Sequence, residues 1–189
     1  MELVEPIRDR KKIQSMKTYL KGKNIRDYAL FVLGINVGLR IGDLLSLKVG
    51  DVVDANGKVH DRIRLREQKT EKLRIFVIGE SGCKAIKDYI DYRKGCCLDE
   101  PLFPSRKGTG PIQRGQARKI LSSAAKAVGI MDPIGTHSLR KTFGYWAYKS
   151  GQDIVRLQAL FNHVSPKVTL AYIGITQEEI EEVYLSVNL

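Results

Sequence analysis

The chain has 189 residues, 43% of them apolar and 28% charged, and its 32 lysines and arginines outnumber 21 acids for a net charge of +11. That is enough chain for one full hydrophobic core, and the cationic excess points to a polyanionic partner. No apolar run reaches the roughly 18 residues of a spanning helix, so nothing spans a membrane. The start, MELVEPIRDRKK, also lacks the apolar core of a signal peptide, so a cytoplasmic chain is expected. The cysteines fit that compartment: Cys96 and Cys97 are adjacent, Cys83 is alone, and no metal-binding or redox spacing exists. All three read as free thiols.

Asp9 to Lys21 carries Ile13, Met16, Tyr19 and Leu20 at helical spacing, and Gly22 ends that helix. Asn24 can cap a second helix, mostly apolar through Tyr28, Ala29, Phe31, Val32, Ile35 and Val37, which should be deeply buried and closed by Gly38. LRIGDLLSL begins a short third helix, with Arg40 and Asp43 at the junction. The period then changes. An Asn56–Gly57 turn precedes a strand in which Ile63 and Leu65 alternate with Arg62, Arg64 and Arg66, and a second β-rich run spans Leu73 to Ile78. A small antiparallel sheet is expected, with Lys69 at the hairpin tip.

Ser81 is the expected cap of the next helix, running to about Arg93. Gly95 to Gly110 reads as a loop, Ile112 to Val128 as a helix, Ser138 to Lys149 as another ended by Gly151, and Ile154 to Phe161 as a shorter one. Thr176 and Glu179 form a capping box for a last helix from Glu178 to about Leu185. The fold class is therefore α+β, mostly helical with a small antiparallel sheet. No repeat or linker divides it, and residues 1–189 read as one domain.

The chemistry concentrates between Gly135 and Gly174. His137 and Arg140 are three apart and share a helix face, His163 lies in LFNHVSP, and Tyr172 follows it by nine residues. Each has an ordinary explanation alone: a capping histidine, a surface arginine, a histidine in a turn, a core aromatic. Together they suit a phosphodiester attacked by a phenol. A tyrosine hydroxyl, with a pKa of about 10, needs help to lose its proton. Charge on the phosphate oxygens needs fixed donors, which arginine's planar fork supplies, and the leaving oxygen needs a proton from lysine or histidine. No acidic cluster accompanies the histidines, so metal-free chemistry without a cofactor is expected.

G-L-R-I-G-D-L-L-S-L at 38–47, H-S-L-R at 137–140, L-F-N-H at 160–163 and Tyr172 resemble the tyrosine recombinase (phage integrase) family, over the chain from about Asp9 onward. The resemblance implies that Arg40 and Arg140 clamp the scissile phosphate, that His137 and His163 assist proton transfer and phosphate binding, and that Tyr172 is the nucleophile. Lys69 fits the family's hairpin lysine, which protonates the leaving 5′ oxygen, with Lys72 the alternative. Asp43 matches an acidic position that supports the first arginine. Asn162 stands where glycine is usual before the histidine, a turn that asparagine also tolerates, and Lys141 stands where many members have histidine.

The family usually carries an N-terminal core-binding domain; only about eight residues precede the first helix here, so 1–189 is expected to be the catalytic domain alone with that domain absent. Candidate DNA contacts are Arg62, Arg64, Arg66, Lys107, Arg114, Arg118 and Lys119. The implied function is site-specific DNA recombination, of integration or excision type, through a 3′-phosphotyrosyl intermediate. The implied partners are double-stranded DNA, other protomers in a tetrameric synapse, and accessory DNA-bending or directionality proteins, in a prokaryotic or phage-encoded protein of the nucleoid. A catalytically silent DNA-binding regulator and a type IB topoisomerase-like nicking–closing enzyme are the other readings of the same residues.

Overall fold

A run that is apolar on every face must be surrounded, and the segment after Asn24 is. The structure, a computed structural model, describes residues 4–67 and 71–175 together with Glu179, Glu181 and Tyr184. Helix α1 (Arg10–Lys23) is capped by Asp9, whose carboxylate accepts from Lys11 N at 2.6 Å. Asn24 caps helix α2 (Ile25–Val37) by accepting from the backbone of Arg26 and Asp27. Ala29 through Gly34 are all buried, and α2 packs against α1 and the later helices α4 (Glu80–Arg93) and α6 (Thr136–Lys149). Gly38 closes α2 in the left-handed region at φ 67°, and the chain turns at once into helix α3 (Ile41–Ser46).

Strands β1 (Arg62–Arg66) and β2 (Leu73–Val77) pair antiparallel, with Ile63 opposite Phe76 and Leu65 opposite Arg74. Ile63 and Phe76 are buried, while Arg62, Arg64 and Arg66 lie outward beside exposed Leu73, Ile75 and Val77. The basic outer face of β1 is as expected from its alternation. On β2 Leu73, Ile75 and Val77 take the outer face and Arg74 and Phe76 the inner one, because pairing Phe76 with the buried Ile63 fixes the register of every other residue on the strand.

Ser81 is not the cap of α4: Gly79 holds that position and Glu80 opens the helix, an acid placed where the helix dipole favours one. The segment from Gly95 to Gly110 is irregular but anchored, since Leu102 and Phe103 are fully buried and Leu102 N donates to Leu47 O at 2.7 Å. Helix α5 (Arg114–Ala127) follows, then α6, α7 (Ile154–Phe161) and α8 (Pro166–Ile173). The expected last helix and its Thr176 cap fall outside the described residues, apart from Glu179, Glu181 and Tyr184. Among the described residues no helix is long and apolar enough to cross a membrane.

The apolar interior has two parts. The larger surrounds α2 and includes Leu139 of α6; the smaller joins Tyr145, Phe161, Ile173 and Ile175. Helix α6 serves both, and close approach depends on two glycines. A Cβ at Gly34 would stand 2.6 Å from Leu139 Cδ1, and one at Gly144 would stand 2.6 Å from both Ile173 Cγ2 and Phe161 Cε2. Gly144→Ala therefore forces α7 and α8 away from α6. Overpacking of this kind costs about 1–3 kcal/mol, so the urea midpoint of Gly144→Ala is expected to fall with an unchanged m value.

Candidate active site

Arg140 sits one turn into α6, where the two apolar clusters meet, and is 4% exposed. Its Nη1 donates to Gly38 O at the end of α2, and its Nη2 donates to Phe161 O at the end of α7, at 3.2 Å. Both acceptors are at helix C-termini, where the backbone dipoles favour a cation. The guanidinium also stacks 4.5 Å from the Phe161 ring centre. Burial pushes its pKa down to about 10, with Tyr172 and Glu67 opposing and Arg40 and Arg74 adding to the shift. It stays charged at neutral pH.

Phe161, fully buried, is a platform for three of these groups. Besides Arg140 it meets the Tyr172 ring edge-on at 5.6 Å and the His163 ring at 5.4 Å. His163 and Tyr172 meet each other at 4.9 Å. The chain reaches this geometry through Asn162, which closes α7 in the left-handed region at φ 56° as the sequence suggested. Ser165 then caps α8 and Pro166 occupies its first turn. That Ser-Pro pair was a legible helix start, yet α8, which carries Tyr172, was not anticipated from sequence.

His163 Nδ1 lies 3.2 Å from Thr169 Oγ1, whose own proton goes to Ser165 O at 3.2 Å. Thr169 is fully buried. With its hydrogen committed, its oxygen can only accept, which assigns the proton to Nδ1 and leaves Nε2 of the neutral ring as an acceptor for a hydroxyl proton. Burial, then the charges of Arg140 and Arg40, lower the His163 pKa. His137, in the first turn of α6, is lowered by desolvation and then by Arg114, Lys141 and Arg140. Burial raises the Tyr172 phenol, while Arg140 and Arg40 pull it down. The free site thus holds a protonated phenol beside neutral imidazoles and fixed cations.

Arg40 occupies the cap position of α3, directly after the Gly38–Leu39 turn, and its Nη1 donates to Glu67 Oε1 at 2.7 Å. Asp43, buried at 2% exposure, lies in the first turn of α3. The structure thus brings Arg40, Arg140, His137, His163 and Tyr172 into one electrostatic neighbourhood. Lys69 lies outside the described residues; Lys72 is exposed, and its carbonyl accepts from Glu67 N at 3.1 Å.

Among the other basic candidates, Arg114 and Arg118 line a cleft of about 320 Å³ with Gly135, Thr136 and His137. Arg62 and Arg64 line another recess with His60 and Asp51, Arg66 donates to Glu71 O at 2.8 Å, and Lys107 and Lys119 are exposed. Sequence reasoning missed Glu67, Arg74, Thr169 and Phe161. Only Glu67 left a signal, an acid continuing the inward row of Ile63 and Leu65.

A mostly helical chain with a small antiparallel sheet, bringing a guanidinium pair, two imidazoles and a phenol into one neighbourhood, has the features of the tyrosine recombinases. The chain belongs to the phage integrase family, whose model matches residues 9–179. It is similar to the probable integrase/recombinase YoeC of Bacillus subtilis (strain 168), 45% identical over 184 residues, 97% of this chain and 97% of that protein. It is also similar to the tyrosine recombinase XerC of Thermodesulfovibrio yellowstonii, 32% identical over 84% of this chain and 53% of that protein. The chain thus spans about half the length of that relative.

In fold it resembles the crystal structure of XerA recombinase, with a TM-score of 0.77, 24% identity, and coverage of 97% of this chain and 66% of that one. It likewise resembles the XerH site-specific recombinase bound to palindromic difH substrate in a post-cleavage complex, with a TM-score of 0.74, 19% identity, and coverage of 97% and 53%.

The lowered histidines predict a pH effect on the free protein. A histidine whose folded pKa lies below its unfolded value of 6.5 binds fewer protons when folded, so its stabilising contribution is complete above pH 6.5 and is lost as pH falls through the folded pKa. The urea midpoint is therefore expected to drop between pH 7 and pH 5.5 by more in wild type than in His163→Gln, which removes one such group.

Proposed function

We propose that this chain is a site-specific DNA recombinase of the integration/excision type, which cuts and rejoins double-stranded DNA through Tyr172. The observation that carries this reading is the packing of the Tyr172 ring against His163, with Arg140 held over the same Phe161 ring and its charge opposing the rise that burial imposes on the phenol. Arg40 and Arg140 bind the non-bridging oxygens of the scissile phosphate and offset the charge that builds on them during attack. His163, through its unprotonated Nε2, accepts the phenolic proton and, once it is an imidazolium, donates to a phosphate oxygen; His137 assists proton transfer and phosphate binding from the first turn of α6.

Attack of the Tyr172 oxygen on phosphorus forms a 3′-phosphotyrosyl bond and expels the 5′ oxygen, which takes a proton from Lys69, with Lys72 the alternative donor on the same connection. A 5′ hydroxyl from a partner strand then attacks the phosphotyrosyl phosphorus and restores the phenol. One ester replaces another at each step, so no nucleotide is consumed. Asp43, one turn beyond Arg40, supports that arginine from within α3.

Arg114 and Arg118, beside His137, extend the cationic surface away from the reacting phosphate. Arg62, Arg64, Arg66, Lys107 and Lys119 supply further phosphate contacts. Binding through such contacts weakens steeply with salt and reads little sequence. Recombination joins two sites, which calls for a tetrameric synapse of protomers on DNA, assisted by accessory DNA-bending or directionality proteins, in the cytoplasm of a prokaryotic cell where the nucleoid lies.

The test is a suicide substrate: duplex DNA from the flanks of the encoding gene, nicked beside the cleavage position so that the cut strand's end diffuses away. Wild type is expected to give a covalent protein–DNA band that survives denaturation and forms in EDTA, and Tyr172→Phe none while still shifting the DNA. Equal bands from both proteins would remove Tyr172 from the chemistry. Binding without any band would favour the silent regulator.

A further inference from the structure

Glu67 is 2% exposed, a buried carboxylate bonded to two arginines of the cationic site. Its Oε1 accepts from Arg40 Nη1 at 2.7 Å and from Arg74 Nη1 at 3.3 Å. Arg74 in turn donates from Nη2 to Leu160 O at 2.9 Å, in the last turn of α7, and its guanidinium lies 5.3 Å from the Phe76 ring centre. The backbone of Glu67 is engaged as well: Glu67 N donates to Lys72 O at 3.1 Å, and Glu67 O accepts from Glu71 N at 2.8 Å. One residue thus ties together the first clamp arginine, both ends of the β1–β2 connection, and, through Arg74, the end of the helix that leads to His163.

Three guanidinium groups, from Arg40, Arg74 and Arg140, share this space, and the two neighbours destabilise the charge on Arg140 while Glu67 stabilises it. Before DNA arrives that repulsion has no phosphate to relieve it. A carboxylate at the solvent boundary would repel the phosphate; one buried behind the arginines, with both bonds charge-assisted, offsets their repulsion from the far side. Among the described residues Nη1 is the Arg40 nitrogen engaged in a bond, which leaves Nε and Nη2 to face a phosphate.

We propose that Glu67 is a positioning residue for strand cleavage: it fixes the Arg40 guanidinium in its phosphate-binding orientation without touching DNA. The proposal rests on the phosphotyrosyl reading above. It is distinct from support by Asp43, because Glu67 reaches Arg40 from the sheet rather than from α3.

Single-turnover cleavage of the suicide substrate tests it in wild type, Glu67→Gln, Arg40→Ala and the double variant, each with its DNA dissociation constant and melting temperature. Glu67→Gln is expected to slow covalent-band formation about tenfold or more, short of the roughly 100- to 1,000-fold cost of losing a whole charge-stabilising donor. Its dissociation constant should move by less than about threefold, since one contact among many phosphate contacts is affected only indirectly. Followed over hours in the Arg40→Ala background, Glu67→Gln should add no further loss.

The same slowing with and without Arg40 would overturn the proposal, as would faster cleavage by Glu67→Gln, which would make Glu67 a competitor of the phosphate. If Glu67→Gln does not fold, Glu67→Asp keeps the charge with one methylene less reach. An intermediate rate then supports positioning, and a wild-type rate overturns it. A wild type that forms no covalent band defeats the phosphotyrosyl reading itself.

Discussion

The Arg140 guanidinium is buried between two apolar clusters, where an uncompensated cation would cost several kcal/mol. Two backbone carbonyls compensate it, Gly38 at the end of α2 and Phe161 at the end of α7, together with the face of the Phe161 ring. Because the carbonyls belong to different clusters, the interaction that makes the charge tolerable also fixes the α7–α8 unit against the central helix. The Gly38 turn positions Arg40 two residues later, and Phe161 orients His163 and Tyr172. Placement of Arg40, His163 and Tyr172 thus depends on a buried charge being satisfied.

The same logic explains why helix ends gather here. Arginine is the residue suited to several fixed acceptors at once, and helix C-termini supply acceptors that bring no mobile charge. Arg140 takes Phe161 O and Arg74 takes Leu160 O, adjacent carbonyls of one helix. Gly144 contributes by its lack of a side chain, letting Phe161 and Ile173 pack against α6. Tyr172 stands on α8, a helix of 8 residues whose Ile173 and Gly174 dock it to α6 and to Arg8, which donates to Gly174 O at 2.8 Å.

What the sequence revealed and what it concealed divide along range of interaction. The helix boundaries set by Asp9, Asn24 and Gly38, the basic row of β1 and the left-handed Asn162 are local matters, and residue type nearly determines them. The five convergent side chains were legible through spacing and family resemblance. Glu67 and Arg74 were not, because their roles exist only once the two strands are in register and α7 has docked. Thr169 was hidden for a similar reason: its bond to His163 requires α8, and α8 is short and contains Val168 and Thr169, β-branched residues that weaken the helical signal. Ser81 misled because a serine before an apolar stripe looks like a cap even when the preceding glycine and glutamate have already started the helix.

The central claim is that Tyr172 itself becomes bonded to the 3′ phosphate of cut DNA. Its most direct test is mass spectrometry of the covalent complex after exhaustive nuclease and protease digestion, with parallel end-labelling of the released strand. The account predicts a single modified peptide, containing Tyr172 and carrying a nucleotide through its 3′ phosphate, and a released strand whose 5′ hydroxyl accepts label without prior dephosphorylation. A nucleotide on any other residue, or a released strand bearing a 5′ phosphate, would contradict it.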